Sequence, residues 1–190
     1  MGSPVRYTQH GRPEHVLSSW LTFYEVRTRG VDAGHNSTLR LDLDNEPQPD
    51  LLLRIPEHAG GSSRVSADGY LEGPPELVVE VAASSTSMDL HQKLHAYRRN
   101  GVREYLVHRV DDGEVDWFLL DGGAYVRQSP DANGCLASRT FPGLVLDVAA
   151  LLRGDLQALH AAIERHTGSP AHRAFVQRLA ARGPDPAEFG

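Results

Sequence analysis

The segment PPELVVEVAASSTSMDLHQKLHAYRRNG, from Pro74 to Gly101, decides the fold of this chain. Its first part, Leu77 to Ala82, is apolar at almost every position, which is typical of a strand covered on both faces. The second part has the apolar spacing of a helix and ends at Gly101, a residue type that commonly follows a helix. A further apolar run, Glu104 to Val110, comes next. The spacing therefore predicts a strand–helix–strand unit with a right-handed crossover.

Two charged residues in this segment stand where apolar residues belong. Glu80 lies in the middle of the predicted strand, and Lys93 shares one helix face with Leu90, Leu94 and Tyr97 at the spacing i, i+3, i+4, i+7. A rise of ~3.3 Å per strand residue and ~1.5 Å per helix residue brings Glu80 and Lys93 to about the same level, because the helix returns antiparallel to the strand. A buried carboxylate without a partner is costly, so Glu80 needs a cation: Lys93, an arginine or a metal ion.

Asp50 indicates which cation Glu80 could bind. It ends the turn NEPQPD and begins a short apolar run, Leu51 to Ile55, predicted to be a strand beside the Leu77 strand. Carboxylates at adjacent strand positions repel each other unless a positive charge lies between them. Mg²⁺ suits such a place, since it binds one or two carboxylates and keeps several waters. Two acids and a lysine around a divalent ion make a phosphodiester-hydrolysing site, because the metal polarises the phosphoryl oxygen and activates a bound water.

Composition limits the class of protein. A chain of 190 residues with 40% apolar and 23% charged residues is expected to form one globular domain. The sequence lacks an apolar run of the ~18–20 residues that cross a bilayer and an apolar signal segment, so no membrane partner is expected. The single cysteine, Cys135, excludes an internal disulfide, and a cytoplasmic location is expected. The net charge of −6 argues against general coating by nucleic acid, but it leaves room for a local basic groove.

The remaining periodicity predicts an α/β protein with one mixed sheet. Arginine dominates the 19 basic residues, and Lys93 is the only lysine. A break is expected at Gly30 to Gly34, and a surface loop from His58 to Gly69. The other predicted elements are a helix over Glu14–Glu25, a strand over Ser37–Leu43, an antiparallel meander of Glu104–Val110, Val115–Leu120 and Ala124–Gln128, one long helix over Asp147–His166 and a short helix over Ala171–Ala181.

The residues around these charges resemble a known superfamily. Pro49-Asp50, Glu80 in ELVVEVA and a lysine on the next helix resemble the PD-(D/E)XK nucleases. More closely, EPQPD, PPELVVEVAASST, DLHQKLHAYRRNGVREYLV and FPGLVLDV resemble the Uma-type restriction endonuclease family, over roughly His35 to Leu152. The resemblance implies a restriction-endonuclease-like α/β core with a mixed central sheet flanked by helices. It also implies metal-dependent cleavage of DNA and a homodimer.

The resemblance also assigns roles to positions of this sequence. Asp50 and Glu80 match the metal ligands for Mg²⁺ or Mn²⁺, helped by the backbone carbonyl of Val81. The superfamily's usual lysine, two residues after the acid, is Ala82 here, and Lys93 on the following helix takes its place. The first helix often supplies a further acid, for which Glu14 is the candidate. In this scheme residues 1–34 are an N-terminal lead-in and helix of the same domain, residues 35–152 the nuclease core, and residues 153–190 C-terminal helices with a flexible tail.

Simpler interpretations stand beside these roles. Glu80 and Lys93 could form a structural ion pair, and the whole chain could be a nuclease-fold binding or regulatory module that cleaves nothing. The basic residues Arg98, Arg99 and Arg103 could bind phosphates of DNA or form a solvated patch at a helix end. The pair of histidines in HQKLH, His91 and His95, has the spacing of a zinc helix, but Gln92 replaces the catalytic glutamate.

Overall fold

A computed structural model describes residues 6–42, 46–83 and 88–182, with residues 88–90 described by their backbone alone. Within these ranges the strands, numbered in chain order, are β1 (Asp32–His35), β2 (Leu39–Arg40), β3 (Leu51–Arg54), β4 (Arg64–Val65), β5 (Leu71–Glu72), β6 (Leu77–Ala82), β7 (Glu104–Arg109), β8 (Glu114–Asp121), β9 (Ala124–Arg127), β10 (Cys135–Ala137) and β11 (Val145–Asp147). The helices are α1 (Arg12–Arg27), α2 (Met88–Arg99), α3 (Val148–Arg153), α4 (Leu156–His166) and α5 (Pro170–Ala180).

In the described part of the chain, six strands form the central sheet, in the order β1-β3-β6-β7-β8-β9. The pair β6–β7 is parallel, because α2 carries the chain back between these two strands. The pairs β1–β3, β3–β6, β7–β8 and β8–β9 are antiparallel. The predicted strand–helix–strand unit, the meander after it and the mixed sheet are therefore all present. Two smaller sheets accompany the central one: β2-β5-β4 and β10-β11.

The central sheet is covered on both faces. Val79 of β6 packs in the larger core, which includes side chains of α1, α3, α4 and α5. Its neighbour Val78 packs on the opposite face, in a smaller core with Tyr97 of α2. Alternate residues of a strand point to opposite faces, so a strand buried on both sides must be apolar throughout. This requirement explains why Leu77–Ala82 is apolar at almost every position, and why the acid within it is conspicuous.

Helix α1 extends the N-terminal helix predicted over Glu14–Glu25. It begins at Arg12, with Pro13 in its first turn, where the missing N–H costs nothing. A π-helical turn, Tyr7–Gly11, precedes it, in the segment expected to be a polar lead-in. The apolar side of α1 is buried at the predicted positions, among them Trp20, whose indole N–H donates to the carbonyl of Val145 at 2.9 Å.

The strand predicted over Ser37–Leu43 is wrong in extent. Among the described residues of this range, Leu39–Arg40 forms a strand and Asp42 a single bridge, and the strand belongs to the small sheet instead of the central one. The edge strand of the central sheet is Asp32–His35, part of the stretch expected to be a break. The sequence DAGH has no β-branched residue, so its extended form comes from pairing with β3 rather than from local preference. Leu43 lies outside the described residues.

The long helix predicted over Asp147–His166 is also wrong, because two helices occupy this stretch. Gly154 adopts φ +66°, a left-handed conformation that ends α3. Asp155 then caps α4 by accepting the N–H of Ala158 at 3.0 Å, as Asp147 caps α3 by accepting the N–H of Ala150 at 2.9 Å. The apolar periodicity continues through both helices, so the sequence pattern does not indicate the break at Gly154.

The remaining expectations fall on shorter segments. The stretch expected as a surface loop, His58 to Gly69, contains the end of a 3₁₀ turn, Glu57–Ala59, and the short strand β4. Residues 183–190, expected to be a flexible tail, lie outside the described residues. Among the described helices, none combines the length and the apolar character that a membrane crossing demands.

Candidate active site

Glu80 lies on β6 with its side chain on the face covered by α2. It is 4% exposed, as little as the apolar residues around it. Lys93 Nζ donates to Glu80 Oε2 at 3.0 Å, and the hydroxyl of Tyr97 donates to Glu80 Oε1 at 2.8 Å. Lys93 and Tyr97 are one helical turn apart, so both reach the same carboxylate from one face of α2. The structure therefore brings Glu80 and Lys93 together, as their spacing predicted.

Asp50 comes opposite Glu80 across the sheet. The last paired residues of β3 and β6 are Leu51 and Val79, and one step further along the antiparallel register places Asp50 level with Glu80. Directly opposed residues on neighbouring strands have their Cβ atoms ~4.5–5.5 Å apart. Asp50 Oδ2 accepts the backbone N–H of Val81 at 2.7 Å, which fixes the carboxylate at the end of β6.

The backbone carbonyl of Val81 lies on the Asp50 side of β6. The N–H of Val110 donates to the carbonyl of Ala82 at 2.9 Å, so the backbone groups of Ala82 face β7. The backbone groups of the preceding residue, Val81, point away from β7. The N–H of Val81 accordingly donates to Asp50. The N–H and C=O of one strand residue lie on the same side. Two carboxylates and one carbonyl are thus gathered at this end of the sheet.

Glu14 approaches Asp50 through a residue that the sequence analysis missed. His10, in the π-helical turn, has its Nε2 3.4 Å from Asp50 Oδ1 and 3.5 Å from Glu14 Oε2. Glu14 Oε1 accepts from Asn36 Nδ2 at 3.1 Å. The imidazole therefore stands between the two acids. The spacing of His10 and Glu14, four residues apart, indicates a contact only where residues 10–14 are helical. The sequence predicts a helix from Glu14, so this signal is lost.

Burial dominates the electrostatics of the two acids. It raises the pKa of Glu80 to about 7, against the attraction of Lys93 and with added repulsion from Asp50. The pKa of Asp50 is also raised by burial, opposed by the N–H of Val81 and the charges of His10 and Lys93. Burial and the nearby Glu80 raise the pKa of the Tyr97 phenol, so that hydroxyl keeps its proton and acts as a donor. Further positive charge at this place would favour the ionised form of both acids.

The donor atoms of Asp50, Glu80 and the Val81 carbonyl are all oxygens, the ligand type that Mg²⁺ and Mn²⁺ take in proteins. Among the described residues, no three His, Cys, Asp or Glu side chains are grouped so that they could hold a metal ion. Zinc sites normally use three or four protein ligands, whereas Mg²⁺ is commonly held by one or two carboxylates and water. Asp50, Glu80 and the Val81 carbonyl match the second pattern. The two histidines of HQKLH, His91 and His95, have exposed side chains.

The three arginines proposed as phosphate contacts are not next to the two acids. Arg103 immediately precedes Glu104, which pairs with Leu77 at the start of β6, about 10 Å along the strand from Glu80. Arg98 donates to the carbonyl of Gly123 at 2.9 Å, and Arg99 to Asp42 Oδ2 at 3.2 Å. All three sit toward the C-terminal end of α2, and their binding to DNA stays a prediction.

Comparison with known proteins gives the class of the fold first. The structure superposes on a crystal structure described as a putative nuclease belonging to DUF820 from Anabaena variabilis, with a TM-score of 0.60 and 12% sequence identity. The match covers 81% of this chain and 86% of that chain. At this identity the likeness concerns the fold alone: a mixed α/β nuclease fold, as the sequence predicted.

The family follows from the sequence itself. The model of the Uma2 family, described as putative restriction endonuclease, matches residues 1–149, and the chain belongs to this family. A search of curated proteins found no match. The family resemblance inferred from EPQPD and PPELVVEVAASST is thereby confirmed, while the roles of Asp50, Glu80 and Lys93 stay predictions.

Proposed function

We propose that the protein is a Mg²⁺- or Mn²⁺-dependent endonuclease that hydrolyses phosphodiester bonds of DNA. The observation that carries this proposal is the meeting of two acids and the only lysine at the end of one strand pair. Asp50 lies level with Glu80, and Lys93 Nζ is 3.0 Å from Glu80 Oε2. Membership in a family described as putative restriction endonuclease supports DNA as the substrate.

The residues divide the work by their chemistry. Asp50, Glu80 and the Val81 carbonyl hold the divalent cation, which when bound polarises the phosphoryl oxygen and lowers the pKa of a water. Lys93 orients the attacking water or stabilises the negative charge that develops on the phosphoryl group, since its ammonium is a compact cation. Glu14 is the further acid of the site and is linked to Asp50 through His10.

Other parts of the proposal rest on the family resemblance and on composition. Arg98, Arg99 and Arg103 contribute phosphate contacts away from the cleavage point, on the outer end of α2. The enzyme acts as a homodimer, as the family resemblance implies. It works in the cytoplasm, where a chain with one cysteine needs no disulfide.

A metal titration tests the site without requiring the DNA target. Mg²⁺ or Mn²⁺ at a hundredfold excess over Kd adds ~2.7 kcal/mol to stability, which corresponds to a rise in Tm of about 5–10 °C for a chain of this size. Asp50→Ala should abolish the rise, and Asp121→Ala, an exposed acid on β8, should keep it. The absence of any metal-dependent rise in the wild-type protein would contradict the proposal.

One observation favours a second candidate function, a nuclease-fold binding module without catalysis. Both oxygens of Glu80 already accept hydrogen bonds, from Lys93 and Tyr97, as in a structural ion pair. In that case Glu80→Gln should leave DNA binding unchanged, and the wild-type protein should cut no DNA at any metal concentration. Cleavage by the wild type that is lost in Glu80→Gln would exclude the module.

A further inference from the structure

A cavity of about 410 Å³ opens beside the candidate active site. Strands β1 and β3 form its floor, and the hairpin of β4 and β5 forms its opposite wall. Leu52 belongs to the floor and follows Asp50, which directly precedes β3, by two residues or about 7 Å. Leu52 packs with Val78 and Tyr97 on the face of the sheet that α2 covers, and Glu80 lies on that face too, so the cavity opens on the same side of the sheet as Glu80. Its volume lies in the ~300–1,000 Å³ range of small-ligand sites.

A buried charged group forms one end of the cavity. Arg54 is 6% exposed, with its Nε donating to Asp32 Oδ2 at 2.7 Å and its Nη1 to the carbonyl of Ser63 at 3.3 Å. The remaining terminal nitrogen, Nη2, has no hydrogen bond within the described part of the chain. The Asp32 side chain is 49% exposed, so one carboxylate oxygen also remains accessible. Donor and acceptor therefore stand side by side at this end of the cavity.

An aromatic ring forms the other wall. Tyr70 lines the cavity and is 42% exposed. The guanidinium of Arg40 lies over one face of this ring, with its central carbon 3.9 Å from the ring centroid. Tyr70 lines the cavity and Arg40 does not, so Arg40 covers one ring face without closing the cavity. Val65, 59% exposed, extends the apolar rim.

We propose that this cavity binds a single unstacked nucleobase of the DNA substrate, beside the phosphate to be cleaved. The proposal rests on the proposed nuclease function and specifies how that site holds the strand that it cuts. Any base can stack on Tyr70, since each has a π face. Its hydrogen-bonding edge then meets Arg54 Nη2 as donor and Asp32 as acceptor, the complementary pair that base edges require. Enzymes that unstack a base hold it in this way, between an aromatic wall and polar groups at its edge.

Saturation-transfer NMR with free 2′-deoxynucleosides tests the cavity on metal-free protein, where no cleavage occurs. Signal transfer to the base protons is expected with the wild-type protein. Tyr70→Leu should weaken binding about tenfold by removing the stacking surface, and Tyr70→Phe should preserve it by keeping the ring. Deoxyribose 5-phosphate, which has no base, should show no Tyr70-dependent transfer.

The outcomes separate this proposal from the nuclease proposal. Absence of transfer to the nucleosides, or equal transfer in Tyr70→Leu and wild type, overturns the cavity as a base site. If the wild type nevertheless cuts DNA, the nuclease function stands without this cavity. If nucleosides bind in a Tyr70-dependent manner but metal neither stabilises the protein nor supports cleavage, the cavity stands and the nuclease function fails. Thermal unfolding of both Tyr70 variants verifies that they fold, as expected for a side chain at the surface.

Discussion

At the scale of single residues, Glu80 differs from the other buried glutamates. Glu76 accepts backbone N–H groups of Ile55 and Ser62 at 2.7 and 3.2 Å, so it braces a loop. Glu104 accepts the backbone N–H groups of residues 139 and 140 at 2.9 and 2.7 Å, besides two side chains. Glu80 accepts from two side chains of one helix and faces a second acid. Glu76 and Glu104 therefore fix the backbone of loops, whereas Glu80 lies beside a second acid and a lysine, an arrangement suited to binding a cation.

Lys93→Arg separates a catalytic from a structural lysine. Arginine keeps the positive charge near Glu80, so the Tm should change by only a few degrees. Its planar guanidinium cannot place one compact ammonium beside an attacking water, so the cleavage rate should fall about 10²-fold or more. Cleavage assays quenched at fixed times measure the rate, and thermal unfolding of the same preparation measures the Tm. Full cleavage activity in Lys93→Arg would show that Lys93 has no chemical role.

Tyr97→Phe removes one of the two hydrogen bonds to Glu80 with no change of shape. At pH 8 the carboxylate is ionised, and a hydrogen bond to a charged group contributes ~1.5–3 kcal/mol to the free energy of unfolding. At pH 5 the acid is protonated, because its pKa is about 7, and the loss should be smaller. Urea unfolding at both pH values measures the difference.

Tyr125→Phe is the matched control for Tyr97→Phe. Its hydroxyl donates to the neutral carbonyl of Val102 at 2.9 Å, so its loss should cost the same at both pH values. A pH-independent loss in Tyr97→Phe as well would mean that the Tyr97 hydroxyl does not stabilise an ionised Glu80.

At the scale of elements, periodicity predicted the parts that lie next to the site. The rise per residue of β6 and of α2, with the helical spacing of Lys93 and Tyr97, was enough to place Glu80 and Lys93 together, since both elements are regular where these residues lie. His10 was not predictable, because it reaches Asp50 from a π-helical turn that has no apolar pattern. The edge strand β1 was missed for the reason that pairing with β3, and not its own composition, makes it extended.

Gly154 separates helix α3 from helix α4. Gly154 has φ +66°, so Gly154→Ala should destabilise the protein by about 1 kcal/mol or more through backbone strain, although its added methyl meets only ordinary contacts. Gly11→Ala is the control: Gly11 has helical φ −59° and ψ −42°, so alanine should stabilise by ~0.4–1 kcal/mol. Urea unfolding of both variants measures these changes. Stabilisation by Gly154→Ala would mean that α3 and α4 can merge into the single helix that the periodicity suggested.

For the protein as a whole, two buried groups make the free energy of unfolding depend on pH in opposite directions. Glu80 has its pKa raised from 4.5 to about 7, so the folded state binds a proton that the unfolded state releases, and stability falls as pH rises through this range. His108 on β7 has its pKa lowered by burial from 6.5 to about 4, so stability rises with pH through that range. Each effect is of the order of 3 kcal/mol, and they overlap with opposite sign.

Glu80→Gln should therefore leave the pH dependence that His108 causes uncompensated. In metal-free buffer the wild-type protein should show a shallow dependence of the free energy of unfolding on pH between 4.5 and 6.5. Glu80→Gln keeps a side chain that can accept from Lys93 or Tyr97 but cannot titrate, so its stability should rise with pH by up to ~3 kcal/mol relative to the wild type. His108→Leu should show the reverse trend, a stability that falls as pH rises. Urea unfolding across this interval gives all three curves, and parallel curves for the wild type and Glu80→Gln would show that Glu80 is already ionised at pH 4.5 in the folded protein.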